Sequence, residues 1–144
     1  MTVICWDGKT LAADKRAGTE LPRTVTKIRR TATGVLIGCT GSACTDMELM
    51  AWYEAGAIVA DFPPTQRVNA TSSHMIVIEL DGRIRMFMES PYAATLEDGR
   101  HAIGSGRDFA MAAMHLGKTA LEAVEVATAL TATCGNGIDT LELK

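Results

Sequence analysis

A threonine stands at position 2, directly behind the initiator methionine, in the opening stretch "MTVICWDGKTLAADKRAG". A threonine hydroxyl is a poor nucleophile and needs a base. If Met1 is removed, Thr2 carries its own base, because a free α-amino group titrates at about 7.7–8.0, near the value suited to neutral pH. A nearby lysine would keep that amine neutral, and a carboxylate would hold the lysine in place. Asp14 and Lys27, the latter in "TVTKIRR", supply both types. Acyl transfer also needs backbone N–H groups aimed at the developing oxyanion. Gly41 in "GCTGSACTD" lies where a strand is expected to turn into a helix, a natural place for such donors. Each residue also has a plain structural use: Thr2 as a strand residue, Asp14 in an ion cluster with Lys15 and Arg16, Lys27 on a half-exposed strand.

These residues need elements to position them. Residues 2–6 and 9–14 read as two strands joined at Asp7-Gly8, a strong short hairpin signal. A two-residue loop pairs Trp6 with Lys9, Ile4 with Leu11 and Thr2 with Ala13, so Asp14 falls opposite residue 1 and one step from Thr2. "TVTKIRR" (24–30) and "GVLIGCTG" (34–41) form a second strand pair. A helix is expected from about Thr45, with Thr45 and Glu48 as a capping box and Gly56 as its stop. Pro63-Pro64 forbids a long helix after it. "HMIVIELDGRIRMFME" reads as a hairpin on Asp81-Gly82. Residues 104–117 and 118–130 read as tandem helices, the second with a capping box at Thr119 and Glu122. "GIDTLEL" closes the chain as a strand. This order lacks the strict alternation of a parallel sheet and points to antiparallel sheets packed with helices.

Composition narrows the function. The chain has 144 residues, 47% of them hydrophobic and 22% charged, as expected of one globular domain over 1–144. A net charge of −3 without a basic run leaves no footprint for nucleic acid. No apolar stretch approaches the ~20 residues of a membrane helix, and the signature of a signal peptide is missing. The expected location is the cytoplasm. Cys5, Cys39, Cys44 and Cys134 form no CxxC pair, and His74, His101 and His115 have no zinc spacing. The cysteines are expected to be buried free thiols, and neither a metal nor a cofactor is called for.

Four stretches together carry a resemblance that covers almost the whole chain: "MTVICWDGKTLAADKRAG", "TVTKIRR", "GVLIGCTGSACTDMELMAWYEAG" and "HAIGSGRDFAMAAMHLGKTALEAV". In this order and spacing they resemble the proteasome β-type family, most of all its short bacterial and phage members, and are similar to the bacterial peptidase HslV. The resemblance implies an α+β fold, the four-layer αββα sandwich of N-terminal nucleophile hydrolases. It implies a threonine-type endopeptidase that is inactive while Met1 is retained and works in a homo-oligomeric ring on peptides or unfolded proteins, with any unfoldase partner left open. By motif, the nucleophile falls on Thr2, the acid on Asp14, the active-site lysine on Lys27, the oxyanion glycine on Gly41, and the serine that supports the threonine amine on Ser105. Read as a group that tunes protonation, Lys27 is expected to matter little for folding.

The chain departs from the family pattern in two places. The usual "DxYSGG" or "DxYTGG" is here "TATCGNG", with Thr131 at the acid's place and Cys134 at the hydroxyl's. This predicts a weaker hydrogen-bond network around Ser105. The second helix of the usual pair is absent or shortened, its place taken by the proline-containing segment 57–73. Two further functions fit the same sequence: a catalytically degenerate ring protein, and an amidohydrolase of the same fold acting on a small amide.

Overall fold

The computed structural model describes residues 1–18, 20–64 and 72–144. Its elements run β1 (Ile4–Trp6), β2 (Thr10–Asp14), β3 (Arg16–Ala17), β4 (Arg23–Thr24), β5 (Ile28–Arg30), β6 (Leu36–Thr40) and α1 (Ala43–Glu54). A single 3₁₀ turn at Val59–Asp61 follows. Then come β7 (His74–Ile78), β8 (Ile84–Phe87), β9 (Ala94–Leu96), β10 (His101–Ile103), α2 (Arg107–His115), α3 (Ala120–Leu130) and β11 (Ile138–Glu142). One sheet has the order β10-β1-β2-β11, the other β5-β6-β7-β8-β9, and β3 and β4 form a separate ribbon. Every pair among these strands is antiparallel.

Strand alternation builds the layers. On β1, Ile4 and Trp6 face the other sheet and pack with Leu11, Ile28, Leu36 and Ile76. Val3 and Cys5 face the opposite way, onto Ala110, Met114, Ala123 and Val124 of α2 and α3. On the second sheet Ile37, Cys39, Met75 and Val77 point outward onto Leu49, Met50 and Trp52 of α1. The result is the four-layer αββα sandwich. Its second helix is shortened to the 3₁₀ turn among the described residues; 65–71 of the proline-containing segment lie outside them.

Three local readings need correction. The opening hairpin pairs Trp6 with Leu11 and Ile4 with Ala13, and Asp7 N–H donates to Thr10 O (3.3 Å), so its turn centres on Gly8-Lys9 rather than on Asp7-Gly8. The Asp7 side chain causes this. Its Oδ1 accepts from the N–H groups of Lys9 (2.9 Å) and Thr10 (2.8 Å), closing the turn one residue later, while Oδ2 accepts from Ala120 N–H (2.7 Å) at the start of α3. The register moves by two, so every side chain keeps its face. Second, α1 starts at Ala43 with Ser42 before it, and Thr45 is buried inside the helix rather than capping it. Third, Cys44 is exposed, whereas Cys5, Cys39 and Cys134 are buried. The second capping box forms as expected: Thr119 Oγ1 accepts from Glu122 N–H (3.2 Å) and Glu122 Oε2 from Thr119 N–H (2.9 Å).

Candidate active site

The hairpin brings Asp14 opposite Val3. Asp14 N–H donates to Val3 O (3.1 Å), and Val3 N–H donates to Asp14 Oδ1 (3.0 Å). The fully buried carboxylate gathers three further donors: Lys27 Nζ on Oδ1 (2.7 Å), and Gly135 N–H (3.0 Å) and Arg16 N–H (3.3 Å) on Oδ2. A buried charge is tolerated only when paired and hydrogen-bonded, and Asp14 meets both conditions.

Lys27 precedes β5, and its backbone carbonyl accepts from Cys39 N–H (3.2 Å), which anchors it to the edge of β6. Its side chain is only 6% exposed. Burial lowers the ammonium's pKa, and the hydrogen bond and charge of Asp14 oppose that shift. Nζ also donates to Met1 O (3.1 Å). Lys27 is therefore half of a buried ion pair. Removing it alone would leave Asp14 uncompensated, which revises the expectation that it matters little for folding.

Thr2 is buried, whereas Met1 is exposed. Thr2 N–H donates to Ser105 Oγ (3.1 Å), and the same hydroxyl faces Thr2 O at 3.3 Å. Thr2 O also accepts from Gly106 N–H (3.1 Å), so the turn between β10 and α2 clasps the start of the chain. Gly104 makes this approach feasible. It has φ of 95°, and a Cβ there would collide with the Thr2 carbonyl.

Behind Ser105 the network differs from the one expected. Ser105 Oγ shares a hydrogen bond with Thr133 Oγ1 (3.0 Å), and Thr133 Oγ1 shares another with Thr131 Oγ1 (2.8 Å). Thr133 N–H also donates to Thr131 Oγ1 (3.1 Å). The hydroxyl that meets Ser105 thus belongs to Thr133. Cys134 Sγ sits beyond it, 3.8 Å from Thr133 Oγ1, with its thiol pKa pushed up by burial and by Asp14.

Gly41 follows β6 with φ of 141°, and a Cβ there would collide with Ser73 Oγ and the backbone around it. It borders a cavity of about 440 Å³, whose wall also includes Thr2, Lys27, Met47, Met50 and Asp46. Asp46 is half-buried in the first turn of α1. Burial pushes its carboxyl up to about 6, against the opposing influence of Ser73, Lys27 and the chain's amino end. Sequence reasoning passed over Thr133 and Asp46. Their signals were weak: a hydroxyl two residues past the expected acid, and an acid five residues past Gly41.

The architecture has clear relatives among solved structures. The Thiobacillus denitrificans protein BPH in complex with epoxomicin superposes with a TM-score of 0.71 at 18% identity, covering 100% of both chains. The eukaryotic HslV from Trypanosoma brucei gives 0.69 at 23% identity over 98% of each. The chain has the HslV fold. Thiobacillus denitrificans BPH without the inhibitor named gives 0.70 at 18% identity over 100% of this chain and 99% of that one. Neither the protein-family models nor the curated proteins match the sequence. The HslV-like fold is therefore carried by topology and packing with fewer than a quarter of positions identical.

Proposed function

We propose that the chain is a threonine-type endopeptidase of the proteasome β type. Its nucleophile is Thr2 Oγ, and the Thr2 α-amine, freed by loss of Met1, serves as its base. The observation that carries this reading is that two separately built supports flank Thr2: the Lys27–Asp14 pair, bonded to Met1 O and Val3 N–H on either side of it, and the Ser105 hydroxyl on the Thr2 nitrogen. Loss of Met1 removes the carbonyl that Lys27 now binds and releases that donor toward the threonine. The amine takes the hydroxyl proton as Oγ attacks the substrate carbonyl, then passes it to the leaving nitrogen. Gly41 N–H stabilises the tetrahedral oxyanion. Ser105 orients the amine, and water then releases the acyl group.

The protein works as a homo-oligomeric ring in the cytoplasm, with Thr2 on the inner face and peptides or unfolded proteins as substrate. No described helix is long and apolar enough to cross a membrane. Large hydrophobic residues on the surface, among them Leu116, Leu121 and Leu130, suit association with further copies. Native mass at monomer size over a broad concentration range would remove the ring.

The replacement of the family acid by Thr131 favours a second reading, a ring protein of the same shape that has lost hydrolysis. One experiment separates the two. Intact mass after incubation with epoxomicin, the ligand of the BPH complex, reads both the presence of Met1 and the reactivity of Thr2. Loss of the Met1 mass with one adduct per chain, absent in Thr2→Ala, supports the peptidase. A chain that has lost Met1 and takes no adduct is the degenerate form.

A further inference from the structure

We propose that Asp46 makes the cavity beside Thr2 a site for a cationic side chain, so that the preferred substrate carries arginine or lysine at the residue whose carbonyl Thr2 attacks. This rests on the peptidase reading of the same site. That residue is held closest to Thr2 and Gly41, and its side chain enters the cavity these two border.

The wall has the two chemistries that a long basic side chain requires. Val25, Met47 and Met50 offer an apolar lining for an aliphatic stem. Asp46 is the one carboxylate among the described residues of the wall, and burial outweighs the groups that favour its charge. Its Oδ1 is shut off from solvent on the side of the buried Ser73 hydroxyl, so a guest in the cavity meets the remainder of the half-buried carboxylate. Two basic residues are described on the same wall, Lys27 and Arg16. Lys27 is paired with Asp14 at 2.7 Å and donates a further hydrogen bond to Met1 O. A partly desolvated carboxylate gains more from an incoming cation than a fully solvated one does. A neutral guest of similar length fills the same space and leaves Asp46 as it was.

The test reads the cavity with and without turnover. Binding of acetyl-Leu-Leu-Arg amide and acetyl-Leu-Leu-norleucine amide is measured on the full-length Thr2→Ala chain, whose cavity wall keeps Asp46. The arginine peptide should bind about tenfold tighter or more, the scale of one charge-assisted hydrogen bond. Asp46→Asn, which keeps the shape, should bring the two peptides level; Asp46→Ser serves if the asparagine variant fails to fold. Cleavage of a peptide library by the Thr2 chain should show the same preference and the same loss. Equal binding, tighter norleucine binding, or a preference that survives in the Asp46→Asn or Asp46→Ser variant overturns the proposal. Selective binding of the arginine peptide without cleavage of any peptide leaves the cationic site standing and removes the peptidase reading. Cleavage without basic preference does the reverse.

Discussion

Lys27 Nζ and Asp14 Oδ1 stand 2.7 Å apart with side chains 6% and 0% exposed. Asp14 also accepts from the backbone of Val3, Arg16 and Gly135, so one carboxylate ties the opening strand, the ribbon and the approach to β11 together. Breaking a buried pair from one side costs about 3–5 kcal/mol, because the remaining charge is stranded. Lys27→Ala and Asp14→Ala are each expected to lower unfolding free energy on that scale, read by denaturant titration. Both should lose ~10²-fold or more of acyl transfer per folded molecule, the scale for one electrostatic partner at such a site. Near-parent turnover in either variant would end the assignment.

Thr2 variants test the nucleophile directly. Thr2→Ala should abolish hydrolysis and Thr2→Ser should retain part of it, since serine keeps both the hydroxyl and the α-amine. A chain that keeps Met1, or carries one more residue before Thr2, should be silent, because an amide nitrogen has no basic lone pair. Peptide turnover at equal folded fraction and equal oligomeric state is the measurement. Activity in the alanine variant equal to the parent's would refute the mechanism.

The hydroxyl chain Thr131–Thr133–Ser105 offers graded changes. Ser105→Ala removes the direct contact to the Thr2 nitrogen and should cut turnover by roughly 10-fold or more. Thr133→Val removes the hydroxyl's hydrogen bonds to Ser105 and Thr131, each neutral and worth about 1 kcal/mol, and should cut it several-fold. Ser105→Ala combined with Thr133→Val should then lose little more than Ser105→Ala alone, since both act through one contact. Full additivity in that cycle would show that Thr133 acts elsewhere.

The layered fold was legible because alternation on β1 and β6 and the capping box at Thr119 are local signals, each written within a few residues. The hairpin register was not, because it depends on Asp7 reaching Ala120, a partner 113 positions away. Asp14 still arrived beside the start of the chain, since a shift of two preserves faces. Thr133 escaped notice for a related reason. Which of several neighbouring hydroxyls turns toward Ser105 is decided by the loop after α3 and not by a motif. Asp46 was invisible as a site group because an acid in the first turn of a helix is ordinarily a dipole partner, and only the packing of α1 on the second sheet partly buries it.

Gly104 and Gly41 mark where the backbone must come closest. Both have positive φ, and a methyl group at either one meets backbone or side-chain atoms with no room to yield. Gly104→Ala should cost about 2 kcal/mol or more through strain and displacement of the Thr2 carbonyl. Gly82→Ala, whose φ is also positive but whose Cβ meets nothing within 4 Å, should cost only about 1 kcal/mol. Thermal melts of the two variants side by side separate crowding from backbone strain; equal losses would mean that the approach to Thr2 is not tight.

Asp46 gives the stability of the chain a pH dependence of unusual sign. Most buried carboxylates are paired, have a depressed pKa and lose their stabilising effect in acid. Here burial outweighs Ser73, Lys27 and the chain's amino end, and the folded carboxyl titrates near about 6 against 3.8 for the free group. The folded state therefore holds this proton more tightly than the unfolded state does. Its contribution is complete below the unfolded value, is lost as pH rises toward about 6, and is flat beyond. Asp46→Asn, which mimics the neutral form at every pH, should leave stability at pH 4 nearly unchanged and raise it at pH 8 by on the order of 2 kcal/mol. Denaturant titrations of parent and variant at the two pH values give the comparison. A variant less stable than the parent at pH 8 would show that the charged carboxylate is well satisfied in the fold, contrary to the burial that raises its pKa.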